Sequence, residues 1–533
     1  MTSELQSPTT PTATSREWIG LAVLVLPVVL ISIDVTVLYL ALPFISAALT
    51  PTGSELLWIV DIYGFVLAGL LITMGNVGDR IGRRRLLLIG AATFGAASLI
   101  AAFSTSAAML IASRALMGVG GATLMPSTLS LIRNLFVNDR QRTAAIAIWT
   151  SGLSAGIVIG PLLGGWLLEQ FAWGSVFLIN VPVMIALLAL APALLPEFRD
   201  PDAARIDLPS VALSMGAVLP VIYGLKRFAE DGLAPEAILA VIFGVALGIG
   251  FLRRQRRLAT PLVDLVLFQS RRFSTAIGAN VVTMFALVGA SLFTAQYLQL
   301  VLGMRPFEAG LWSLPAAAAV FLGATTAAFA SPRLGPSMVV AGGMLVGAAG
   351  FVILSTAGPA GGLVAVIAGS TVMAAGVSMV LTLASDLVLL TAPPERAGAA
   401  SGLSETASEL GGALGIAVLG SIGVAIYRGA VGGGLPNTVP PEAIATASET
   451  LGAALAVASQ LPADAGGALT VAAQAAFTSG LQVAALAGAV ILITSAAVVA
   501  FVLQGVRISP RPDTSEPGGT AGPVFTSDTA ASD

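Results

Sequence analysis

Apolar stretches of about 20 residues recur along the whole chain, and a helix of that length spans the hydrocarbon core of a bilayer. The chain has 533 residues, of which 56% are hydrophobic and only 10% are charged. Soluble domains carry about a quarter charged residues, so the composition excludes an ordinary soluble fold. We therefore predict an all-α polytopic membrane protein. Its fourteen predicted spans lie near residues 18–46, 55–77, 85–104, 107–131, 142–168, 173–195, 208–226, 235–252, 273–302, 308–330, 337–357, 361–388, 398–427 and 478–505.

Basic residues fall unevenly on the predicted loops. One set of alternate loops and ends holds most of them: Arg80, Arg83, Arg84, Arg85, Arg133, Arg140, Arg142, Arg199, Arg205, Arg253, Arg254, Arg256, Arg257, Arg271, Arg272, Arg333, Arg396 and Arg507. The other set holds only Lys226, Arg227, Arg305 and Arg428. The positive-inside rule places the arginine-rich side in the cytoplasm. We therefore predict a multi-pass protein of the cytoplasmic membrane with both termini cytoplasmic.

Three regions are not predicted as spanning helices. Residues 1–17 and 506–533 are rich in Ser, Thr and Pro, a composition that predicts disordered tails. Residues 429–477 predict a long outer loop without Lys or Arg. Pro441 with Glu442 reads as one helix start within it, and Pro462 with Asp464 as a break and a second start. This pattern predicts an amphipathic helical hairpin, with a flexible Ala-rich loop as the alternative.

The residue types that are missing limit the chemistry. The chain has no Cys and no His, so thiolate metal sites and the usual proton carrier near neutral pH are excluded. No enzymatic constellation and no nucleotide-binding loop occurs, and we expect no cofactor, no metal and no nucleic-acid partner. Proton chemistry, driven by a proton gradient, would have to use carboxylates.

The loop after the second span carries a distinctive run of glycines and charges. It places one acid among cations, at Gly75, Gly78, Asp79, Arg80, Gly82, Arg83 and Arg84. A carboxylate there can cap a helix N-terminus or pair with an arginine, which would give an electrostatic gate. The spacing G-x-x-x-D-R-x-G-R-R-R resembles the signature loop of the major facilitator superfamily. That resemblance implies a two-bundle fold whose halves rock to alternate access.

The fourth span contains Arg114, in the sequence Arg-Ala-Leu-Met-Gly-Val-Gly-Gly. An arginine inside a membrane span is costly and is a functional candidate facing a cavity or a partner acid. The alternative is a side chain near the helix end that snorkels to the interface. Resemblance to the R-x-x-x-G-x-G-G element of the family favours the interior position and implies a role in assisting proton transfer.

The fifth span carries a ridge of glycines four residues apart. Such a ridge lets a neighbouring helix approach closely, and proline adds a kink. The residues are Gly152, Gly156, Gly160, Pro161, Gly164 and Gly165. Their pattern resembles the motif that separates facilitator antiporters from symporters and uniporters, which implies export. Trp173 and the run at residues 177–182 also match the drug-exporting branch.

Four acids inside predicted spans are candidates for proton coupling and cation binding. Asp34 lies among apolar residues well away from either helix end, in a D-x-T…A-L-P pattern that has Tyr39 where relatives often have Asn. Asp61 lies near the outer end of its span, as either a vestibule acid or a solvated one. Glu405 and Glu409 are one helical turn apart, an unfavourable placement for two ionised carboxylates. We expect one or both of them to be protonated for part of a cycle, with Glu409 the deeper and Glu405 alternatively near the interface.

Together the fourteen spans and these motifs resemble the fourteen-span drug:proton antiporter family. The resemblance implies two six-helix bundles at residues 18–195 and 261–505, with two inserted spans at 196–260. It implies a monomeric, proton-coupled exporter of lipophilic, mainly cationic drugs, dyes and antiseptics, working in the lipid bilayer. A dedicated exporter of one antibiotic, metabolite or lipid precursor is the nearest alternative. A proton-coupled importer and a non-transporting membrane sensor are more distant ones.

Overall fold

The computed structural model describes residues 13–199, 207–232, 234–258, 261–358, 361–391, 397–431 and 439–502, and these are almost entirely helical. The α-helices in chain order are α1 (Ser15–Leu49), α2 (Gly53–Ile81), α3 (Arg83–Ala102), α4 (Ala107–Leu135), α5 (Asp139–Gln170), α6 (Ser175–Leu178), α7 (Asn180–Leu194), α8 (Leu208–Asp231), α9 (Pro235–Gln255), α10 (Arg271–Gln296), α11 (Pro306–Leu311), α12 (Leu314–Leu334), α13 (Pro336–Leu354), α14 (Leu363–Thr391), α15 (Ala397–Val431), α16 (Pro441–Ala447), α17 (Leu451–Ala458) and α18 (Ala463–Val502).

Fourteen helical segments in the described residues are long and apolar enough to cross a membrane, which confirms the predicted number. Helices α6 and α7 together form the sixth, and α11 and α12 the tenth. The ninth joins α10 to a π-turn at Tyr297–Val301. Phe136 to Asn138 separate the fourth and fifth segments, where the Asn138 side chain caps the N-terminus of α5.

The first helix begins earlier than the sequence predicts. Thr14 and Glu17 form a reciprocal capping box at the N-terminus of α1, so the predicted tail of residues 1–17 is wrong at its last residues. Arg16 also donates to the Ala193 carbonyl at 2.7 Å, which ties this end to α7. Residues 1–12 and 503–533, which hold the rest of the predicted tails, lie outside the described residues.

Close helix packing depends on small residues in both halves of the chain. In the first half a Cβ added to Gly120 would lie 2.9 Å from the backbone nitrogen of Phe94, on α3. In the second half Gly350 and Gly369 bring α13 and α14 together backbone to backbone. Glycine is required at such crossings because any side chain would hold the two backbones apart.

The inserted helices α8 and α9 pack mainly on each other, and α8 reaches both halves. It contacts α2 and α15, and Ile222 shares a buried apolar cluster with Phe65, Ala413 and Ala417. Helix α8 therefore lies against the line where the two halves meet.

Several direct contacts between the halves lie at one end of the molecule. We call the end that carries Arg83–Arg85 and Arg133 the arginine-rich end, and the other the opposite end. At the opposite end α5 packs on α11, and Glu169 accepts a hydrogen bond from the Phe307 amide at 3.1 Å. There too, Gln299 of the π-turn donates to the Leu40 carbonyl at 3.1 Å.

The predicted outer loop is folded onto the opposite end. Helix α16 begins at Pro441 as predicted, and α17 follows after a turn, so a flexible loop is the wrong alternative for residues 439–462. Thr450 contacts Ser46 of α1 through their hydroxyls at 2.6 Å, and Glu449 accepts from the Gly53 amide of α2 at 3.3 Å. The last span begins at Ala463 rather than near residue 478, because the second predicted helix start opens one continuous helix.

Candidate functional site: buried charges inside the helical bundle

Asp34 of α1 and Arg114 of α4 form a buried ion pair. Arg114 Nη1 lies 2.5 Å from Asp34 Oδ2, and each side chain is 1% exposed. Arg114 also donates from Nε to the Ile59 carbonyl at 3.3 Å, and its guanidinium lies 4.6 Å from the centroid of the Tyr63 ring. The interfacial alternative for Arg114 is therefore wrong, because the side chain points into the bundle towards a partner acid.

Asn180 is part of the same site. Its side-chain nitrogen donates to Asp34 Oδ1 and to Ser98 Oγ, both at 3.2 Å, and the residue is completely buried. A buried ion pair is stable only when its remaining hydrogen-bonding atoms find partners, and Asn180 supplies one to Asp34. The sequence analysis placed Asn180 only in a family run at residues 177–182. A lone amide in an apolar span was the signal that could have assigned it.

Asp61 of α2 pairs with Lys226 of α8. Lys226 Nζ lies 2.8 Å from Asp61 Oδ2 and 2.9 Å from Oδ1, and both side chains are fully buried. The Nζ atom also lies 3.8 Å from the centroid of the Trp58 ring. The solvated alternative for Asp61 is therefore wrong.

The prediction that Lys226 lies in an outer loop is also wrong. Helix α8 continues to Asp231, so Lys226 lies inside the helix, next to the acid of another span. The sequence reasoning missed this residue because a lysine at the end of an apolar run is read as the boundary of the span. Its being the only lysine in the chain was the available signal.

Glu405 and Glu409 of α15 differ from both aspartates. Neither glutamate has a salt bridge or a hydrogen bond through its carboxylate within the part of the chain that the structure describes, and both are partly exposed. Ser404 and Ser408 turn another face of α15 to α10, where Asn280 donates to both hydroxyls at 3.2 and 2.8 Å. The two glutamates are thus the uncompensated charges of the site.

Two buried tyrosines, Tyr39 and Tyr63, have aspartates and a glutamate as electrostatic neighbours. Tyr63 has Asp34, Arg114 and Glu409 as charged neighbours, and Tyr39 has Arg114, Glu409 and Asp61. Glu405 is in turn a charged neighbour of Glu409. The five candidate residues Asp34, Asp61, Arg114, Glu405 and Glu409 are therefore connected through shared electrostatic neighbours, and they come from both halves of the chain. No group of three or more Asp or Glu residues in the described ranges is placed to hold a metal ion.

The glycine ridge of α5 positions the segment of α1 that carries Asp34. Gly152 faces Val25, Gly156 faces Val29 and Ser32, Gly160 faces Ile33 and Thr36, and Gly164 faces Val37. A Cβ at Gly156 would lie 2.5 Å from the Val29 carbonyl oxygen. The ridge therefore fixes how closely α5 approaches the part of α1 from Val25 to Val37, which includes Asp34.

Another face of α5 meets the second half of the chain. A Cβ at Gly165 would lie 2.6 Å from the Phe307 Cα, and one at Gly310 would lie 2.5 Å from the Pro161 carbonyl oxygen. The residues predicted from the antiporter motif thus serve two contacts, one within the first half and one between the halves.

The signature loop is held within the first half in this conformation. Asp79 pairs with Arg83, one turn away in the chain. Gly82 has φ of +113°, and a Cβ there would lie 2.5 Å from the Glu197 carboxylate, so glycine is required on both counts. Gly75 has no close neighbour, and Arg80 is exposed.

Glu197, which the sequence analysis did not single out, caps α3. Its carboxylate accepts from the backbone amides of Arg84 at 2.9 Å and Arg85 at 3.2 Å. The Arg84 guanidinium adds a bond to the Leu195 carbonyl at 2.9 Å. An acid at a helix N-terminus accepts hydrogen bonds from the free backbone amides, and its negative charge interacts favourably with the helix dipole. The capping role considered for Asp79 is therefore filled by Glu197.

Comparison with known proteins adds independent evidence. The chain is 44% identical to the multidrug efflux pump LfrA of Mycolicibacterium smegmatis over 498 residues, which cover 93% of this chain and 98% of LfrA. It is 37% identical to the methyl viologen resistance protein SmvA of Salmonella typhimurium over 87% of this chain and 93% of SmvA. A bacterial homologue of the lysosomal transporter Spinster has the same fold, with a TM-score of 0.64 at 18% identity, over 92% of this chain and 97% of that one.

The family follows from these matches and from the fourteen-span fold. The sequence profile described as the Major Facilitator Superfamily matches residues 24–416, which include the signature loop, Arg114, the glycine ridge and the paired glutamates. The expected fold class and the expected family are both confirmed, and the chain is a transporter rather than an enzyme. This chain belongs to the Major Facilitator Superfamily.

Proposed function

We propose that this chain exports lipophilic, mainly cationic drugs, dyes and antiseptics from the cytoplasm in exchange for protons. The relatives LfrA and SmvA support drug export, since one is named a multidrug efflux pump and the other a resistance protein for methyl viologen, an organic dication. Export by alternating access also agrees with the antiporter pattern at Gly156–Gly165.

The uncompensated pair Glu405 and Glu409 carries the proposal. Asp34 and Asp61 each have a buried basic partner, whereas these glutamates have none among the described residues. Carboxylates inside a membrane span attract a cation or take up a proton, and one site cannot hold both. Competition between the proton and the drug at Glu409, with Glu405 as its neighbour, would couple the two fluxes.

Asp34 has a different proposed role. Protonation of Asp34 would leave Arg114 buried without its anion, which is costly. Protonation of Asp34 therefore requires Arg114 to move, which would couple this pair to the conformation of the transporter. The exchanged ion itself would bind at Glu409.

The proposed orientation puts the arginine-rich end in the cytoplasm, as the positive-inside rule requires. With that orientation, the contacts of α5 with α11 and of Gln299 with Leu40 lie on the outer side, which agrees with an inward-facing conformation. We also propose that a single chain is the functional unit, because one chain supplies all the charged residues of the site.

The experiment is dye efflux in everted vesicles from cells that produce the chain. We expect ethidium uptake into the vesicles when respiration acidifies their interior, and its abolition by a protonophore. Replacing Asp34 by Asn should lower the uptake, because Arg114 then loses its partner acid. Full activity of that variant would remove Asp34 from the mechanism. Transport that continues without a proton gradient would refute proton coupling.

A panel of compounds separates the nearest alternative. Cells producing the chain should tolerate structurally unrelated lipophilic cations better than cells producing the Glu409→Gln variant. Resistance to one neutral antibiotic alone would instead identify a dedicated exporter.

A further inference from the structure

We infer that Trp58 and Asp61 form a binding site for a lipophilic cation, and that Lys226 is a tethered cation which occupies this site until the substrate displaces it. This inference rests on the proposed function and adds to it a second cation-binding carboxylate, Asp61. Lys226 lies on α8, one of the two inserted spans. Proton exchange at the glutamates gives these two helices no role.

The surroundings of the Lys226 ammonium are those of a cation site. It lies between a carboxylate, at 2.8 and 2.9 Å, and the face of an indole ring, 3.8 Å from the centroid. A carboxylate combined with an aromatic face is the arrangement by which proteins bind organic ammonium ions. Trp58 packs against an apolar cluster that includes Phe65, Ile222 and Leu219, and this cluster would suit the body of a lipophilic cation.

A lysine is a replaceable occupant of such a site. Its ammonium is compact and strongly hydrated, so keeping it in a dry site is expensive. A lipophilic cation spreads its charge, carries its own apolar surface and loses less hydration. Water that reaches Lys226 therefore favours the exchange of the tethered cation for the free one.

The Asp61–Lys226 pair lies close to the line between the two halves, where it could become accessible. Asp61 lies one turn from Gly64, where a Cβ would meet the Ala413 side chain of α15 at 3.3 Å. Helices α2 and α15 belong to different halves, and α8 covers the line between them. Rocking of the halves that loosened this contact would expose the buried pair.

The test uses the fact that Lys226 is the only lysine in the chain. The full-length protein in lipid nanodiscs is treated with formaldehyde and borohydride, which methylate amines, and modification of Lys226 is followed by mass spectrometry. Saturating tetraphenylphosphonium should raise the rate of modification several-fold, because the displaced amine becomes accessible. Triphenylphosphine oxide, a neutral compound of similar size, should leave the rate unchanged.

Two results would overturn the inference. If tetraphenylphosphonium binds to the protein and modification of Lys226 stays the same or slows, the pair is a structural contact and the proposed function stands without it. If tetraphenylphosphonium does not bind at all, both the inference and the proposed export of cations fail.

Substitutions give a second measurement. Lys226→Met removes the tethered competitor, and we expect it to bind tetraphenylphosphonium about tenfold more tightly or better, because the site no longer has to be vacated. The double variant Asp61→Asn with Lys226→Met should lose this gain. An equal gain in both variants would show that the site does not depend on the carboxylate and would refute the inference.

Discussion

The acids of the two halves of the chain are held in opposite ways. In the first half Asp34 and Asp61 are fully buried and each lies against a base. In the second half Glu405 and Glu409 are partly exposed, with no basic partner among the described residues. A buried pair fixes structure, because neither member can be removed alone without leaving a buried charge. An unpaired carboxylate can exchange its proton or bind a cation without disturbing the fold. The difference predicts that substitutions in the first half reduce stability and those in the second half reduce transport.

The largest effect on stability is expected for Arg114→Met. It leaves Asp34 buried without its base, and breaking such a pair costs about 3–5 kcal/mol. Thermal melting of the purified protein in detergent measures the loss. Arg84→Gln, which affects a partly exposed arginine near Glu197, is the matched control and should cost less than about 1 kcal/mol. Equal melting temperatures for the two variants would contradict the comparison.

Gly156→Ala should have the next largest effect. Its Cβ would lie 2.5 Å from the Val29 carbonyl oxygen, so α1 must shift, and overpacking of this kind costs about 1–3 kcal/mol. The shift also moves Asp34 relative to Arg114. Gly75→Ala is the control, since nothing lies within 4 Å of its added Cβ, and it should be neutral or slightly stabilising. Melting temperatures of both variants measure the difference, and destabilisation by Gly75→Ala alone would contradict the packing argument.

A smaller effect is expected at the exposed pair between Asp207 and Arg254. Two hydrogen bonds from Arg254, at 2.7 and 3.0 Å, hold the pKa of Asp207 below its ordinary value. The carboxylate therefore stabilises the folded protein above the unfolded pKa of about 3.9, and this contribution disappears as the pH falls through the lower folded value. Because the pair is partly exposed, its contribution is below about 1 kcal/mol. Melting curves against pH should lose this acid-sensitive component in Asp207→Asn, and an unchanged curve would exclude the pair as a contributor.

The smallest effect on stability is expected for Glu409→Gln, which should have the largest effect on efflux. No basic partner among the described residues loses its anion. The free energy of unfolding should therefore change by no more than about 0.5 kcal/mol, as is typical of neutral substitutions, and the melting temperature should change little. Proton-driven dye uptake in everted vesicles should fall to the level of vesicles that lack the protein. Glu442→Gln, at the first turn of α16, is the control and should transport normally. Normal efflux by Glu409→Gln would transfer the coupling role to another acid.

Fold and family could be predicted from the sequence because their signals are local. The length of each apolar run, the arginine content of each loop and the glycine spacing are each set within a single helix or loop. The start of α16 at Pro441 and the break at Pro462 were predicted for the same reason. The capping of α3 by Glu197 was not, because Glu197 lies 113 residues from Arg84 and nothing in the local sequence indicates the contact.

The sequence by itself determined that this protein spans a membrane fourteen times, belongs to its superfamily and carries acids within its spans that are candidates for proton coupling. Only the tertiary structure decided which of those acids are neutralised. Asp34 meets Arg114 across 80 residues, and Asp61 meets Lys226 across 165. Lys226 shows the physical reason most clearly. A lysine at the end of an apolar run belongs in a loop unless an acid from another helix offsets the cost of burying it, and only the packing of α8 on α2 supplies that acid.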